Sequence, residues 1–454
     1  MLQNAVSSPA SLPAPSPAAP ALPELPGLPE PPAPPLFAAA APRDDLIDAL
    51  RGIALLGIAL VNAPAILIAS AGFNDASLAS TLDRAVGFAA IALIQSKFYL
   101  IFAFLFGYSL PYTLQNKGIG PQPRFRKRLA ALAVLGLLHG VFLFSGDILL
   151  LYAAVGAVML LVVGRSDRVV LAVAALATLL WGWALGDRLL AGTADDATQH
   201  AFQLQMAAID AQLAGGTFWQ AARARLELSP IVQSATFVFY GLAVLAAFCI
   251  GLIGGRRQWL RSPAQHTGRW RRGLVWGLVL GLPGALLSAW WLVGPGLSFT
   301  SPGPMQILAL TIGLASAPAL SCTYVSALAL RQPRRPARLA LFEAAGRMSL
   351  SFYLASSLLM ALLACGFGLG LMGRFGAAAV AGMAVGVWLL LALLARGWLR
   401  RFKRGPVEHL LHRWTRAGES RSPAFTGTRE DPSVSAASSH SVERKATVNT
   451  AQAD

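Results

Sequence analysis

Charged residues are scarce in this chain of 454 residues: Asp, Glu, Lys and Arg together make up 13 % of it, whereas 55 % is hydrophobic. A soluble domain averages about 25 % charged residues. Several windows are almost free of charge over about 18 residues or more, roughly the length of helix that crosses the hydrocarbon core of a bilayer. The composition therefore excludes an ordinary soluble domain and predicts an all-α fold, a polytopic membrane helix bundle of about ten transmembrane helices.

Cysteine is equally scarce, with three residues that each lie alone in an apolar run: Cys249, Cys322 and Cys365. They form neither a disulfide framework nor the spacing of metal ligands, so we interpret them as packing residues. Sequence motifs for phosphate, dinucleotide, zinc-protease or serine-hydrolase chemistry do not occur in a supporting context. The sequence thus predicts no metal site and no permanently bound cofactor.

The net charge of +16 comes from basic residues that lie between the apolar windows. This placement is the positive-inside pattern of membrane proteins rather than a nucleic-acid footprint, so we expect membrane lipids and no nucleic acid as partners. The predicted spans are residues 46–69, 97–114, 128–144, 147–163, 169–189, 231–254, 273–293, 305–330, 346–371 and 376–399.

The segments outside this bundle, which extends over residues 43–416, differ in composition. Residues 1–42 are rich in Ala and Pro and lack the features of a signal peptide, so they predict a disordered cytoplasmic arm. The polar residues 417–454 predict a disordered cytoplasmic tail. Residues 190–230 are expected to form a short amphipathic helix pair over the outer mouth. Residues 85–94 are too short to span alone and are expected to lie along the outer interface.

Loop charge orients the predicted spans. Seventeen Lys and Arg residues fall in loops assigned to the inside and five in loops assigned to the outside, when the N-terminus is placed inside. This bias predicts that both termini are cytoplasmic.

Two predicted spans repeat one arrangement of polar side chains. Arg51 precedes Asn62 by eleven residues in the first span, and Arg128 precedes His139 by eleven residues in the third. Eleven residues are almost three helical turns, so each pair lies on one stripe of its helix, roughly 16 Å apart. Each helix is therefore expected to present a cation at the inner end and a hydrogen-bonding side chain towards the outer end.

Four polar residues could converge near the outer end of the bundle: Asn62, Lys97, His139 and Asp147. Such groups are costly in a membrane and usually face a protein interior or a wet cavity, so they form the candidate catalytic site. Structural roles stay open for each of them. Asp147 could be only a helix N-cap, and His139 a neutral core histidine. Lys97 could extend to the interface, and Asn62 could join helices.

At the inner end, Arg51, Arg128 and Arg347 could bind phosphate groups, which arginine forks favour. The alternative is that these arginines only enforce topology.

Five stretches carry a resemblance to a known family: "LIDALRGIALLGIALVN", "SKFYLIFAFLFGYSL", "RLAALAVLGLLHGVFLFSGDILLLYAAVG", "AAGRMSLSFYL" and "GPVEHLLHRW". In this order, over residues 44–416, the chain resembles the YeiB-like family of bacterial inner-membrane proteins, a domain of unknown function. It is more remotely similar to the transmembrane acyltransferase superfamily. That resemblance implies transfer of an acyl group from cytoplasmic acyl-CoA to an extracytoplasmic hydroxyl or amine, and it places Arg51 and Asn62 at motif positions. The bacterial acyltransferases usually carry His where this chain has Asn62, which leaves His139 as the candidate base.

Three functions follow from these observations. The first is an acyl-CoA-dependent O- or N-acyltransferase with an envelope glycan or lipid as acceptor, acyl-CoA as co-substrate and His139 as general base oriented by Asp147. In it, Asn62 or Lys97 would stabilise the oxyanion. The second is a small-molecule transporter or exporter that uses Lys97, His139 and Asp147 as a proton relay. The third is a non-catalytic membrane protein whose polar groups are structural.

Overall fold

A computed structural model describes residues 45–114, 123–191, 196–294, 304–331 and 339–416. The predicted arms, residues 1–42 and 417–454, lie outside the described residues. Within the described residues every regular element is a helix and none is a strand, which confirms the all-α prediction.

Fourteen α-helices occur in the described residues. The first seven are α1 Asp45–Leu67, α2 Thr81–Ala89, α3 Phe98–Leu114, α4 Pro123–Phe142, α5 Leu149–Val162, α6 Asp167–Leu190 and α7 Asp196–Gly215. The others are α8 Phe218–Arg256, α9 Thr267–Val293, α10 Pro304–Arg331, α11 Ala340–Arg347, α12 Ser349–Ala364, α13 Ala377–Arg401 and α14 Pro406–Arg416.

Seven helical stretches of the described chain are long and apolar enough to cross a membrane, and the pair α11–α12, bent by 92°, would be an eighth. Helices α4 and α5 lie outside this count. Basic residues crowd the first two turns of α4, and α5 has only 14 residues. The protein is therefore an integral, multi-pass membrane protein. Nine of the ten predicted spans each overlap one helix, whereas span 346–371 includes the bend between α11 and α12 and extends beyond the end of α12, and the number ten stays a prediction.

The outer segment, residues 190–230, is not the pair of short helices that the sequence predicts. Its first half is α7, but its second half is the start of the 39-residue α8. A capping box between Thr217 and Gln220 begins α8. The helix continues through Pro230 into the apolar span without a break.

Residues 85–94 belong to α2 and a π-helical turn, Ala90–Ile94, within one apolar helical stretch, Thr81–Thr113. The stretch is interrupted at Ser96, whose φ of 66° is left-handed. The position of residues 85–94 along the outer interface stays a prediction.

Close helix crossings depend on glycine. A Cβ atom at Gly52 of α1 would overlap the carbonyl oxygen of Phe342, and one at Gly346 of α11 would overlap that of Asp48. Helices α3 and α8 cross in the same way at Gly107. Small residues permit such backbone approach, which strengthens van der Waals packing between helices in lipid.

The orientation of the bundle can be tested by fusions of a topology reporter. We expect a fusion after Pro121 to report a cytoplasmic location and a fusion after Asp196 to report an extracytoplasmic one, because the basic loops stay inside. Alkaline phosphatase activity, compared with fluorescence of the matching green fluorescent protein fusions, measures both. A common location for the two sites would contradict the predicted topology.

Candidate functional site

His139 and Asp147 form a buried pair near one end of the bundle. The Nδ1 atom of His139 lies 2.9 Å from Oδ1 of Asp147, and both side chains are fully buried. The distance between the two atoms is that of an ion pair, but their geometry is not that of a hydrogen bond. Neither ring nitrogen of His139 forms a hydrogen bond to the described residues. The Nε2 atom is therefore a buried proton acceptor or donor without a partner in the part of the chain that the structure describes. We refer to this end as the outer end, following the predicted topology.

The motif "GLLHG" makes room for this pair. A Cβ atom at Gly136 would lie 2.6 Å from Oδ2 of Asp147, so only glycine lets the start of α5 approach α4 this closely. At Gly140, one turn further along α4, the nearest such neighbour is Cβ of Asp147 at 4.0 Å. His139 lies between these two glycines, which places its ring beside the carboxylate.

Asp147 also has a structural role. Its Oδ2 atom accepts a hydrogen bond of 2.8 Å from the backbone N–H of Leu150, in the first turn of α5. One carboxylate oxygen of Asp147 thus accepts a hydrogen bond from the first turn of α5, as a capping side chain does, and the other lies beside His139.

Two side chains of α8 hold the connection between α4 and α5. Nε2 of Gln233 donates to the carbonyl oxygens of Ser145 and Asp147 at 3.0 and 3.1 Å. The buried Arg225 donates to the carbonyl oxygen of Phe142 at 3.1 Å and to Sγ of Cys365 at 3.0 Å. A cation at the C-terminus of α4 stabilises the free carbonyls there.

Tyr353 completes the site and was not predicted from the sequence. Its ring centroid lies 4.8 Å from that of His139. Its hydroxyl is 3.5 Å from Oδ1 of Asp147, at the limit of a hydrogen bond. The only signal for it was the unusually polar "GRMSLSFYLASS" of the ninth predicted span.

A cavity of about 140 Å³ with a mostly apolar lining lies beside the pair. Asn62, Gln95 and Tyr353 line it, together with Gly146 and Ile148, the two residues that flank Asp147 in sequence. The structure thus brings Asn62 and Tyr353 to one cavity. His139 and Asp147 lie behind its wall.

A second cavity, of about 370 Å³, adjoins the first. It shares Val61 and Gln95 with the first cavity and extends to Ala71, Gly72 and Phe73, in the loop that follows α1. The exposed Ala71 is part of the lining of this second cavity, at the outer end of the bundle.

Lys97 does not join this site. Its side chain is 1 % exposed, and its Nζ atom donates a 2.9 Å hydrogen bond to the carbonyl oxygen of Ile91. Lys97 therefore does not converge with the other three residues as predicted. After the left-handed turn at Ser96, its amine donates its hydrogen bond to a carbonyl of the π-helical turn instead. It does not extend to the surface either.

Helix α7 is attached to the loop after α1 at the same end of the bundle. Oδ1 of Asp210 accepts a 2.9 Å hydrogen bond from the backbone N–H of Ser70. Burial raises the pKa of the Asp210 carboxyl, an effect that the hydrogen bonds from Ser70 oppose. The outer segment thus borders the end of the bundle where the cavities lie.

At the inner end, the three predicted arginines lie among carboxylates. Arg51 pairs with Asp48 at 3.1 Å and is close enough to Arg128 for the two charges to repel. Arg347 interacts electrostatically with Glu343, which in turn feels the charge of Asp48. The arginines form one mixed-charge cluster rather than a purely basic pocket.

Glu408, within the motif "GPVEHLLHRW", holds α14 to the start of α12. Its Oε1 atom accepts hydrogen bonds from the backbone N–H groups of Leu350 and Ser351 at 2.7 and 3.1 Å. An anion at a helix N-terminus is stabilised by the free amides there. This explains an acidic residue in an otherwise basic inner segment.

The fold and the buried His139–Asp147 pair define a polytopic helical membrane protein with a histidine and an aspartate in contact inside the bundle. The family described as "Protein of unknown function (DUF418)" matches residues 254–418. The chain is 30 % identical to the uncharacterized protein YeiB of Escherichia coli over 392 residues, 82 % of this chain and 96 % of that protein. It is 27 % identical to the uncharacterized protein YxaH of Bacillus subtilis over 399 residues, 81 % and 93 % of the two chains. No solved structure matches it. The chain belongs to the YeiB-like family.

Proposed function

We propose that this protein is a transmembrane acyltransferase of the bacterial inner membrane, which moves an acyl group from cytoplasmic acyl-CoA to an extracytoplasmic acceptor, an envelope glycan or lipid. The observation that carries the proposal is the buried pair of His139 and Asp147 in contact with Tyr353, a wall of the outer cavity. A buried His beside a carboxylate is the usual arrangement of a positioned general base.

In this reaction the acceptor oxygen or nitrogen first adds to the acyl carbon, which forms a tetrahedral intermediate, and the carbon–sulfur bond of the thioester then breaks. The acceptor's proton passes to Tyr353, whose own proton moves to the Asp147–His139 pair. The pair then returns this proton through Tyr353 to the departing CoA thiolate, so the free thiol of CoA leaves and the pair regains its starting state. The amide of Asn62, in the same cavity, donates to the oxyanion of the tetrahedral intermediate.

The donor is bound at the inner end, where Arg51, Arg128 and Arg347 meet the CoA phosphates. Arginine forks bind phosphate oxygens through two parallel hydrogen bonds. The neighbouring carboxylates lower the net positive charge, so the phosphates displace existing ion pairs such as Arg51–Asp48. Acyl-CoA is a co-substrate here, not a permanently bound cofactor.

A proton-coupled exporter of a small metabolite is the second candidate. The complete burial of both members of the pair favours it, because intramembrane carboxylate and histidine chains often relay protons in transporters. An exporter would leave envelope acylation unchanged.

The experiment compares envelope glycans and lipids from a deletion strain with those of the parent strain by mass spectrometry. We expect an acyl mass increment that disappears on deletion and returns when the full chain is supplied. Unchanged acylation in every envelope fraction, with accumulation of a metabolite inside the cells, would favour the exporter instead.

The donor site is tested on the purified full chain. Acyl-CoA should raise its Tm, because a ligand that binds only the native state shifts the unfolding equilibrium. Arg51→Gln should remove this shift, whereas Arg400→Gln, an exposed arginine in the last turn of α13, should preserve it. No shift in the wild-type protein at millimolar acyl-CoA would contradict the donor site.

A further inference from the structure

A large crevice is lined by none of the residues of α4, α5 and α12, the helices around the His139–Asp147 pair. Its cavity of about 680 Å³ is formed by α3, α6, α8, α9 and α10. Leu100, Phe104, Ala247, Ile250 and Val325 contribute to its apolar walls. The volume lies in the range of roughly 300–1,000 Å³ that is typical of ligand pockets.

One end of the crevice is basic. Arg269 and Arg272, in the first two turns of α9, line it and are exposed. The guanidinium carbon of Arg269 lies 4.3 Å from the centroid of the Trp259 ring, a cation–π contact that orients the guanidinium group. By the predicted topology this end faces the cytoplasm.

Two buried donors lie at the same end. Trp259 and Trp270 both line the cavity, and neither indole Nε1 has a hydrogen-bond partner among the described residues. Trp270 is only 5 % exposed. A buried N–H without an acceptor costs free energy, so native structures usually provide one.

We propose that this crevice binds a single anionic phospholipid of the inner leaflet, with an acyl chain in the apolar part and the phosphate at Arg269 and Arg272. A phospholipid satisfies all three observations, since it supplies apolar chains for the walls, negative charge for the arginines and acceptor oxygens for the indoles. Basic pockets between membrane helices on the cytoplasmic side bind anionic headgroups for this reason. The site is separate from the His139–Asp147 pair and does not depend on acyl transfer.

The apolar walls argue against a water-filled substrate path, which would be lined by polar groups. They also argue against free phosphate, which would leave the larger apolar part of the cavity without a partner.

Native mass spectrometry of the full chain in detergent tests the proposal with two probes that differ in headgroup charge, phosphatidylglycerol and phosphatidylcholine carrying the same acyl chains. We expect one retained phosphatidylglycerol and little phosphatidylcholine. The double variant Arg269→Gln/Arg272→Gln should bind phosphatidylglycerol about 25-fold more weakly, since each basic residue near an anionic lipid contributes about fivefold. The matched control Arg400→Gln/Arg401→Gln, with the same loss of charge at the end of α13, should bind it as the wild-type protein does.

Cys322 provides a readout inside the crevice, because it lines the cavity and is exposed whereas Cys249 and Cys365 are buried. Bound phosphatidylglycerol should slow its alkylation by N-ethylmaleimide, and phosphatidylcholine should not. Ala247→Phe fills the apolar part of the crevice without changing its charge, so it should weaken lipid retention. This variant replaces the arginine variant in the test if the latter does not fold.

Equal retention of the two lipids, equal retention by the arginine variant and its control, or unchanged alkylation of Cys322 in the presence of phosphatidylglycerol would each overturn the proposal. Displacement of the lipid by acyl-CoA at equal concentration would also overturn it, because the crevice would then be a donor subsite.

Discussion

Replacing His139 with glutamine should lower the proposed acyl transfer by about 10²–10⁴-fold, the range that a positioned acid–base group contributes. Glutamine keeps a polar side chain in the pocket but cannot accept and return a proton. The measurement is the acyl mass increment in the deletion strain, divided by the amount of folded variant in the membrane. A variant with full activity per folded molecule and a lowered Tm would show that His139 is a structural core residue.

Asp147 variants separate its two roles. Asp147→Asn keeps an acceptor for the N–H of Leu150 but removes the charge beside His139, so activity should fall while Tm changes little. Asp147→Ala also removes the cap, which costs about 1 kcal/mol of stability. Equal activity of wild-type and Asp147→Asn protein would exclude a catalytic ion pair.

Tyr353→Phe tests whether the hydroxyl of Tyr353 passes the acceptor's proton from the cavity to the Asp147–His139 pair. It keeps the ring against His139 and removes only the hydroxyl, so activity should fall nearly as far as in the histidine variant. Tyr152→Phe is the matched control, because that buried hydroxyl donates to the carbonyl oxygen of Tyr99 and does not contact Asp147. The same loss of activity in both variants would indicate a packing effect.

Gly346→Ala should destabilise the protein strongly, by about 3 kcal/mol, the upper end of what overpacking usually costs. Its Cβ would overlap the backbone carbonyl of Asp48, which cannot move without shifting α1. Thermal unfolding in detergent and the yield of inserted protein measure the effect.

Gly382→Ala is the control for that substitution. Gly382 also lies inside a helix, α13, but a Cβ there meets nothing within 4 Å. Alanine favours a helix over glycine by up to about 1 kcal/mol, so this variant should be as stable as the wild-type protein or more stable. A Gly346→Ala variant that unfolds like this control would contradict the close crossing of α1 and α11.

The site was predictable from the sequence only in part. Asp147 and His139 stood out because titratable residues are rare in apolar sequence, and the structure brings them together. Tyr353 was missed because the polar stretch around it does not distinguish one side chain from its neighbours. Lys97 was assigned to the same group on depth alone, and depth does not determine the direction in which a side chain points.

Composition and periodicity by themselves determined the class of fold, because a helix in lipid must satisfy its own backbone hydrogen bonds and its length is fixed by the bilayer. The helix positions and the spacing of Arg51 with Asn62 and of Arg128 with His139 were also properties of the sequence. Tertiary structure alone decided which residues meet across helices: Tyr353 with Asp147, Glu408 with the start of α12, and Arg269 with Trp259. These contacts depend on how closely backbones approach at glycines such as Gly136 and Gly346, and that distance is set by the packing of whole helices rather than by any local pattern.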